Sequence, residues 1–220
     1  ISDLASDKGN TYFVFDRGET AKISECCRLS FKLDYSDLSD AREPWRMRYS
    51  ALQNITLNLP RIAYLAKRND DKLFEILGNF MKLAAEAHRE KRTFIEMLLA
   101  EGRNGPLSLL SVVRDGEPYL RLRRVTHLIG MLGVNEMIQY HRGEELHESE
   151  DALKFALKVI SFMKIKCDEL SEEYDIKFVL EQTPAESTSY RFAKLDMEHF
   201  HEKAMTVVKG NISKDEIYYT

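Results

Sequence analysis

"KFVLEQTPAESTSYRFAKLD", residues 177–196, changes its hydrophobic rhythm halfway along. It opens as an apolar run of strand length, closes with apolar residues at helical spacing, and joins the two through Thr, Pro and Ser. A strand, a turn and a helix in succession are the unit of layered α/β folds, whose ligand sites lie at the carboxyl ends of strands. The turn offers the hydroxyls of Thr183, Ser187, Thr188 and Ser189 beside unpaired backbone N–H groups at a positive helix end, with Pro184 suited to the first turn. A phosphate is held in this way. An ordinary capped helix accounts for the same residues, because Ser and Thr favour N-caps, and Glu186 would repel an anion if it turned inward. The residues alone leave both readings open.

Working outward, Leu73, Leu77, Met81, Ala84 and their neighbours recur at threes and fours and predict a long amphipathic helix that ends at "EGRNGP". Ser149 caps a second, with Leu153, Ala156, Ile160, Met163, Cys167, Leu170 and Tyr174 as its buried stripe, so Cys167 reads as a packing residue. "NTYFVFDRG" (10–18) and "CRLSFKLD" (27–34) read as strands, and 35–49 as a loop with one helical turn. "ALQNITLNLPRIAYLA" (51–66) reads as a short strand broken by Pro60, and 107–132 as two apolar strands around "RDGEPY". Strands alternating with long helices predict an α/β layer or barrel.

Hydrophobic residues at 44%, charged residues at 31% and a net charge of −4 describe an ordinary globular chain. That balance argues against a dedicated nucleic-acid or membrane-surface binder. Three cysteines, with no signal-peptide pattern, indicate a reducing compartment and a cytoplasmic protein. The chain starts at Ile1 and stops on the β-rich "KDEIYYT", which is the expectation for a piece of a longer polypeptide.

Cys26 and Cys27 are adjacent and precede Arg28. Neighbouring Cα atoms sit at about 3.8 Å, whereas disulfides favour about 5.5 Å, so the two could bridge only through a strained ring and a structural staple is not expected; a zinc site lacks its second pair of ligands. Side chains alternate along a strand, so only one of the two thiols can face a given site. Arg28 would lower a thiolate pKa or bind an anion, and two packed thiols beside a surface arginine fit the residues equally well. "HFH" at 199 and 201 falls in a predicted helix, where its rings point apart, so no metal site is expected there. Asn135 and Glu136 stand out because they follow an apolar strand and a glycine.

Taken in order, "CCRL" (26–29), "NITLNLPRIAY" (54–64), "GMLGVNEMIQYHRGEELHESEDAL" (130–153), "KFVLEQTPAESTSYRFAKLD" and the closing "VVKGN…IYYT" resemble the anaerobic, class III ribonucleoside-triphosphate reductases, which are glycyl-radical enzymes. The resemblance implies part of a ten-stranded α/β barrel, with 1–220 as one domain from its later portion. It also implies anaerobic reduction of ribonucleoside triphosphates to deoxyribonucleoside triphosphates, for DNA synthesis and repair. Cys27 matches the cysteine that becomes a thiyl radical, with Cys26 a weaker candidate. Asn54 and Asn58 match candidate contacts for formate or substrate, Thr183, Ala185, Ser187, Thr188 and Ser189 the substrate-phosphate site, and Asn135 and Glu136 the substrate pocket. The implied partners are a radical S-adenosylmethionine activase with an iron–sulfur cluster, formate as co-substrate, and a second copy in a homodimer, with neither nucleic acid nor membrane. The glycyl-radical loop, the zinc site and the ATP/dNTP effector region have no counterpart in the sequence and are expected in further segments of the same polypeptide. Glu25-Cys26 stands where the family has Gly before its cysteine, and "QNITLNLPRI" replaces "GVVTINLPRI". Two other classes remain open: a glycyl-radical enzyme acting on a small substrate, and a non-catalytic nucleotide-binding domain of the same fold.

Overall fold

A computed structural model describes residues 2–8, 22–24, 30–32, 40, 43–183 and 186–220. The chain divides into two compact units, Ile1–Arg48 and Tyr49–Thr220. The described part of the first holds helix α1 (Ser2–Lys8), a short antiparallel ribbon of β1 (Lys22–Ser24) and β2 (Ser30–Lys32), and a 3-10 turn at Pro44–Arg46. The strand expected at 10–18, together with Cys26 and Cys27, lies outside the described residues.

The second unit is built on a three-stranded parallel sheet ordered β3 (Ser50–Asn58), β6 (Val125–Leu132), β7 (Phe178–Gln182). Between β3 and β6 run α2 (Leu59–Ala66), α3 (Asp70–Ala100), α4 (Ser108–Ser111) and a tight ribbon of β4 (Val113–Arg114) with β5 (Glu117–Pro118). Between β6 and β7 run α5 (Val134–Arg142) and α6 (Glu150–Tyr174). After β7 come α7 (Glu186–His199), α8 (His201–Ala204) and the hairpin of β8 (Lys209–Asn211) and β9 (Glu216–Tyr218). The mixed α/β class is the one expected.

Two stretches differ from the sequence reading. Pro60 does not break the strand but opens a helix: β3 runs to Asn58, whose Oδ1 accepts the N–H of Arg61 at 3.2 Å as the cap of α2. A proline in the first turn removes an N–H that has no helical partner anyway, so the strand-to-helix switch costs little there. In 107–132 only the β6 portion is a long strand. Asp115 and Gly116 sit at φ +54 and +81, which confines the turn to a ribbon of two residues a side.

Parallel register places Ile55, Ile129 and Leu180 on one face of the sheet, and Thr56, Gly130 and Glu181 on the other. The first face carries the core, where Leu57, Ile129 and Phe178 pack with Leu73, Leu77 and Met81 of α3 and Val159, Met163 and Cys167 of α6. Burying each such side chain stabilises by about 1.5–3 kcal/mol. Cys167 is wholly buried and its thiol is pushed up to about 12 by loss of solvent, so it packs and does not react. Among the described residues no helix is long and apolar enough to cross a membrane.

Candidate functional site

The other face of the sheet is polar toward the carboxyl ends of its strands. Parallel strands covered on both faces read as continuous apolar runs, whereas "NITLN" alternates. Asn54 and Thr56 project from β3, Glu181 from β7, and Thr183 follows at the strand's end, all over Gly130 of the middle strand. The Asn54 amide donates from Nδ2 to Glu181 Oε2 at 2.6 Å, the Thr56 hydroxyl donates to Asn54 Oδ1 at 3.5 Å, and the Thr56 and Thr183 hydroxyl oxygens lie 3.1 Å apart. Gly130 makes this convergence possible, because a Cβ there would come within 2.6 Å of Asn54 Oδ1, 3.0 Å of Thr56 Oγ1 and closer still to Thr183 Oγ1. Glu181 is buried, and Asn54, Thr56 and Thr183 are half-buried.

Past Thr183, whose N–H extends the ladder to Met131 O at 3.3 Å, the chain enters α7. Ala185 lies outside the described residues. Ser187 is exposed and Thr188 half-buried, both in the first turn of a 14-residue helix whose leading N–H groups have no intrahelical acceptor. Ser189 is directed elsewhere. It is buried, and its hydroxyl donates to the carbonyl of Tyr219, so its proton fastens the last strand to α7.

Asn58 also serves the scaffold. Its Nδ2 donates to Asp196 Oδ2 at 2.9 Å while Oδ1 caps α2. Asp196, with no exposure, also accepts the Arg61 Nε–H at 2.6 Å, with Nη2 in an ion pair at the same distance, and the Tyr219 hydroxyl at 3.1 Å. A carboxylate that takes the Tyr219 proton leaves Tyr64 as the donor across the 3.0 Å gap between the two phenols. Burial holds both phenols above their ordinary pKa.

Asn135 and Glu136 tie α5 to its neighbours. Glu136, fully buried, accepts the Thr220 N–H at 3.2 Å and its hydroxyl at 2.8 Å, and burial raises its carboxyl above the usual range. Asn135 donates to Glu145 at 3.0 Å and accepts the N–H of Leu146 at 3.0 Å. Their polar atoms serve these contacts rather than the cluster over Gly130.

The sequence reading brought Asn54 and Thr183 to the cluster and missed Thr56, Gly130 and Glu181. The alternation in "NITLN" carried the signal for Thr56. Glu181 was hidden in a run that read as buried strand. Among the described residues no group of three His, Cys, Asp or Glu side chains is placed to hold a metal.

The family model described as anaerobic ribonucleoside-triphosphate reductase matches residues 1–220. The anaerobic ribonucleoside-triphosphate reductase of Salmonella typhimurium is 29% identical over 175 residues, covering 76% of this chain and 23% of that protein. The Escherichia coli protein of the same name is 28% identical over the same length, with the same shares. The chain thus spans about a quarter of the curated relatives it matches. The anaerobic ribonucleotide reductase of Thermotoga maritima in complex with dATP and CTP superposes with a TM-score of 0.62 at 26% identity, over 71% of this chain and 26% of that one. The same enzyme with glycerol in its active site superposes with the same score.

Proposed function

This chain belongs to the anaerobic ribonucleoside-triphosphate reductase family, and on that premise we propose that it forms one wall of a ribonucleotide-reducing site within a ten-stranded barrel. One observation carries the reading: the polar face of the parallel sheet ends against the N-terminus of α7. A nucleotide fits that arrangement, with its sugar over the strand ends and its phosphates at the helix. Ser187, Thr188 and the leading N–H groups of α7 take the phosphate oxygens, each charge-assisted bond being worth about 1.5–3 kcal/mol.

The family resemblance supports Cys27 as the cysteine that becomes the thiyl radical. A radical delivered to it from a glycyl radical elsewhere in the polypeptide would take the 3′ hydrogen of the ribose, an S–H bond forming as a C–H bond of similar strength breaks. Loss of the protonated 2′-hydroxyl follows, and formate supplies the two reducing electrons and leaves as carbon dioxide. The family resemblance supports a radical S-adenosylmethionine activase as partner, a homodimer, and effector and zinc regions in further segments of the protein. Asn54 stands where it can meet the sugar, whereas Asn58 acts through the position of α2.

The test uses the intact protein. Ser187→Ala and Thr188→Ala are expected to weaken ribonucleoside-triphosphate binding about tenfold each, since one lost bond is worth about 1.4 kcal/mol or more. Cys27→Ala is expected to abolish turnover and leave binding unchanged. Binding that is indifferent to both hydroxyls, or turnover that survives without Cys27, overturns the reading.

A further inference from the structure

An amide nitrogen has protons to give and no lone pair to accept with, so every hydrogen bond it makes has a fixed direction. Glu181 is buried, and it holds the Asn54 amide by Nδ2 at 2.6 Å. That contact decides which end of the amide faces which way, and Oδ1 is left as an acceptor on the Thr56 side. Thr56 donates to it. Either oxygen can donate across the 3.1 Å contact between Thr56 and Thr183, and with the one Thr56 proton turned to Asn54 it is the Thr183 proton that bridges them.

We propose that Thr183 is a hydroxyl-recognising contact and not a phosphate donor: the chain Thr183 to Thr56 to Asn54 to Glu181 runs in one direction and leaves the Thr183 oxygen only lone pairs to offer a ligand. A phosphate oxygen, itself an acceptor, gains nothing there and goes to the helix N-terminus beyond. A sugar hydroxyl can donate to Thr183, which stands half-buried where the strand ends and the helix has yet to begin. This assignment rests on the nucleotide reading above, and it divides the hydroxyl-rich turn by function, with Thr183 for the sugar and Ser187 and Thr188 for the anionic tail. Gly130 is what allows the chain to exist, since any side chain on the middle strand would occupy the space in which Asn54, Thr56 and Thr183 meet.

Two measurements on the intact protein test it. Neutron diffraction of the ligand-free protein is expected to show the Thr183 deuteron on the line to Thr56 Oγ1 and an Asn54 deuteron on the line to Glu181. A Thr183 deuteron pointing away from Thr56 overturns the proposal whatever the protein binds. Titration with inorganic tripolyphosphate, a ribonucleoside triphosphate and its 2′-deoxy and 3′-deoxy analogues gives the second arm. Thr183→Val is expected to leave tripolyphosphate affinity within about twofold and to weaken the ribonucleotide about tenfold, the worth of one hydrogen bond of about 1.4 kcal/mol. One of the deoxy analogues should be indifferent to the change, and Thr183→Ser should restore wild-type behaviour. Equal losses for tripolyphosphate and ribonucleotide overturn the proposal. A deuteron chain as drawn in a protein that binds no triphosphate supports the direction and overturns the nucleotide reading, so the two failures are distinct.

Discussion

A methyl group added at Gly130 has no free space to enter. In Gly130→Ala the new Cβ would approach Asn54 Oδ1 to 2.6 Å and Thr56 Oγ1 to 3.0 Å, with Thr183 Oγ1 nearer still. Ordinary contact needs about 3.4 Å or more, so all three side chains must move, and moving them breaks the hydrogen bonds they share. Forcing a methyl into a packed site costs about 1–3 kcal/mol, and each of the three half-buried hydrogen bonds lost adds about 1 kcal/mol, for a total near 4–6 kcal/mol. For a unit of this size that corresponds to a fall in Tm of roughly 11–17 °C. Thermal and urea unfolding followed by circular dichroism measure it. Gly78→Ala is the control, because its Cβ would meet Phe162 Cζ at an ordinary 3.5 Å inside α3, where replacing glycine gains about 0.5–1 kcal/mol. A Gly130→Ala protein as stable as wild type, or less affected than Gly78→Ala, would refute the convergence of three strands over that position.

The buried pair His88 and His127, with ring centroids 5.3 Å apart, makes stability depend on pH. Burial, then the neighbouring His88 and Arg92, lowers His127 from 6.5 to about 4, and burial lowers His88 as well. The unfolded chain therefore takes protons first, so stability is full above about pH 6.5 and falls by about 3 kcal/mol as pH drops toward 4. Urea midpoints at several pH values should show this fall in wild type and a flatter profile in His127→Leu; identical profiles would remove His127 as the cause. Asp196→Ala should cost about 3–5 kcal/mol, because it strands Arg61, Asn58 and Tyr219 together, and Asp196→Asn should cost less. Chemical denaturation that ranks the two variants in the opposite order would show that the carboxylate is not what holds these groups.

Periodicity made the helical layer legible. Leu73, Leu77 and Met81, and Met163, Cys167 and Leu170, recur at helical spacing because each must reach the same sheet, and all are buried there. The turn after β7 was legible because hydroxyl residues and a proline cluster where a helix begins. What lay beyond reach was pairing between distant segments. Asn54 meets Glu181, Asn58 meets Asp196 and Ser189 meets Tyr219, and no local pattern links such partners. Two asparagines that look equivalent in "NITLN" therefore separate into a member of the polar cluster over Gly130 and a structural brace at the strand's end. Gly130 was opaque for a related reason: its importance lies in what two neighbouring strands place above it, which only the register of all three discloses.

Five residues hold Tyr219 and Thr220 by hydrogen bonds. Ser189 of α7 donates to the Tyr219 carbonyl, Asp196 and Tyr64 engage its phenol, Gly133 donates to the Thr220 carbonyl at 2.8 Å, and Glu136 holds the Thr220 amide and hydroxyl. These two residues act as a linchpin. A pull on the backbone at Thr220 passes through Tyr219 into two side chains of α7, Ser189 in its first turn and Asp196 two turns further on, so tension there would load the helix at both points.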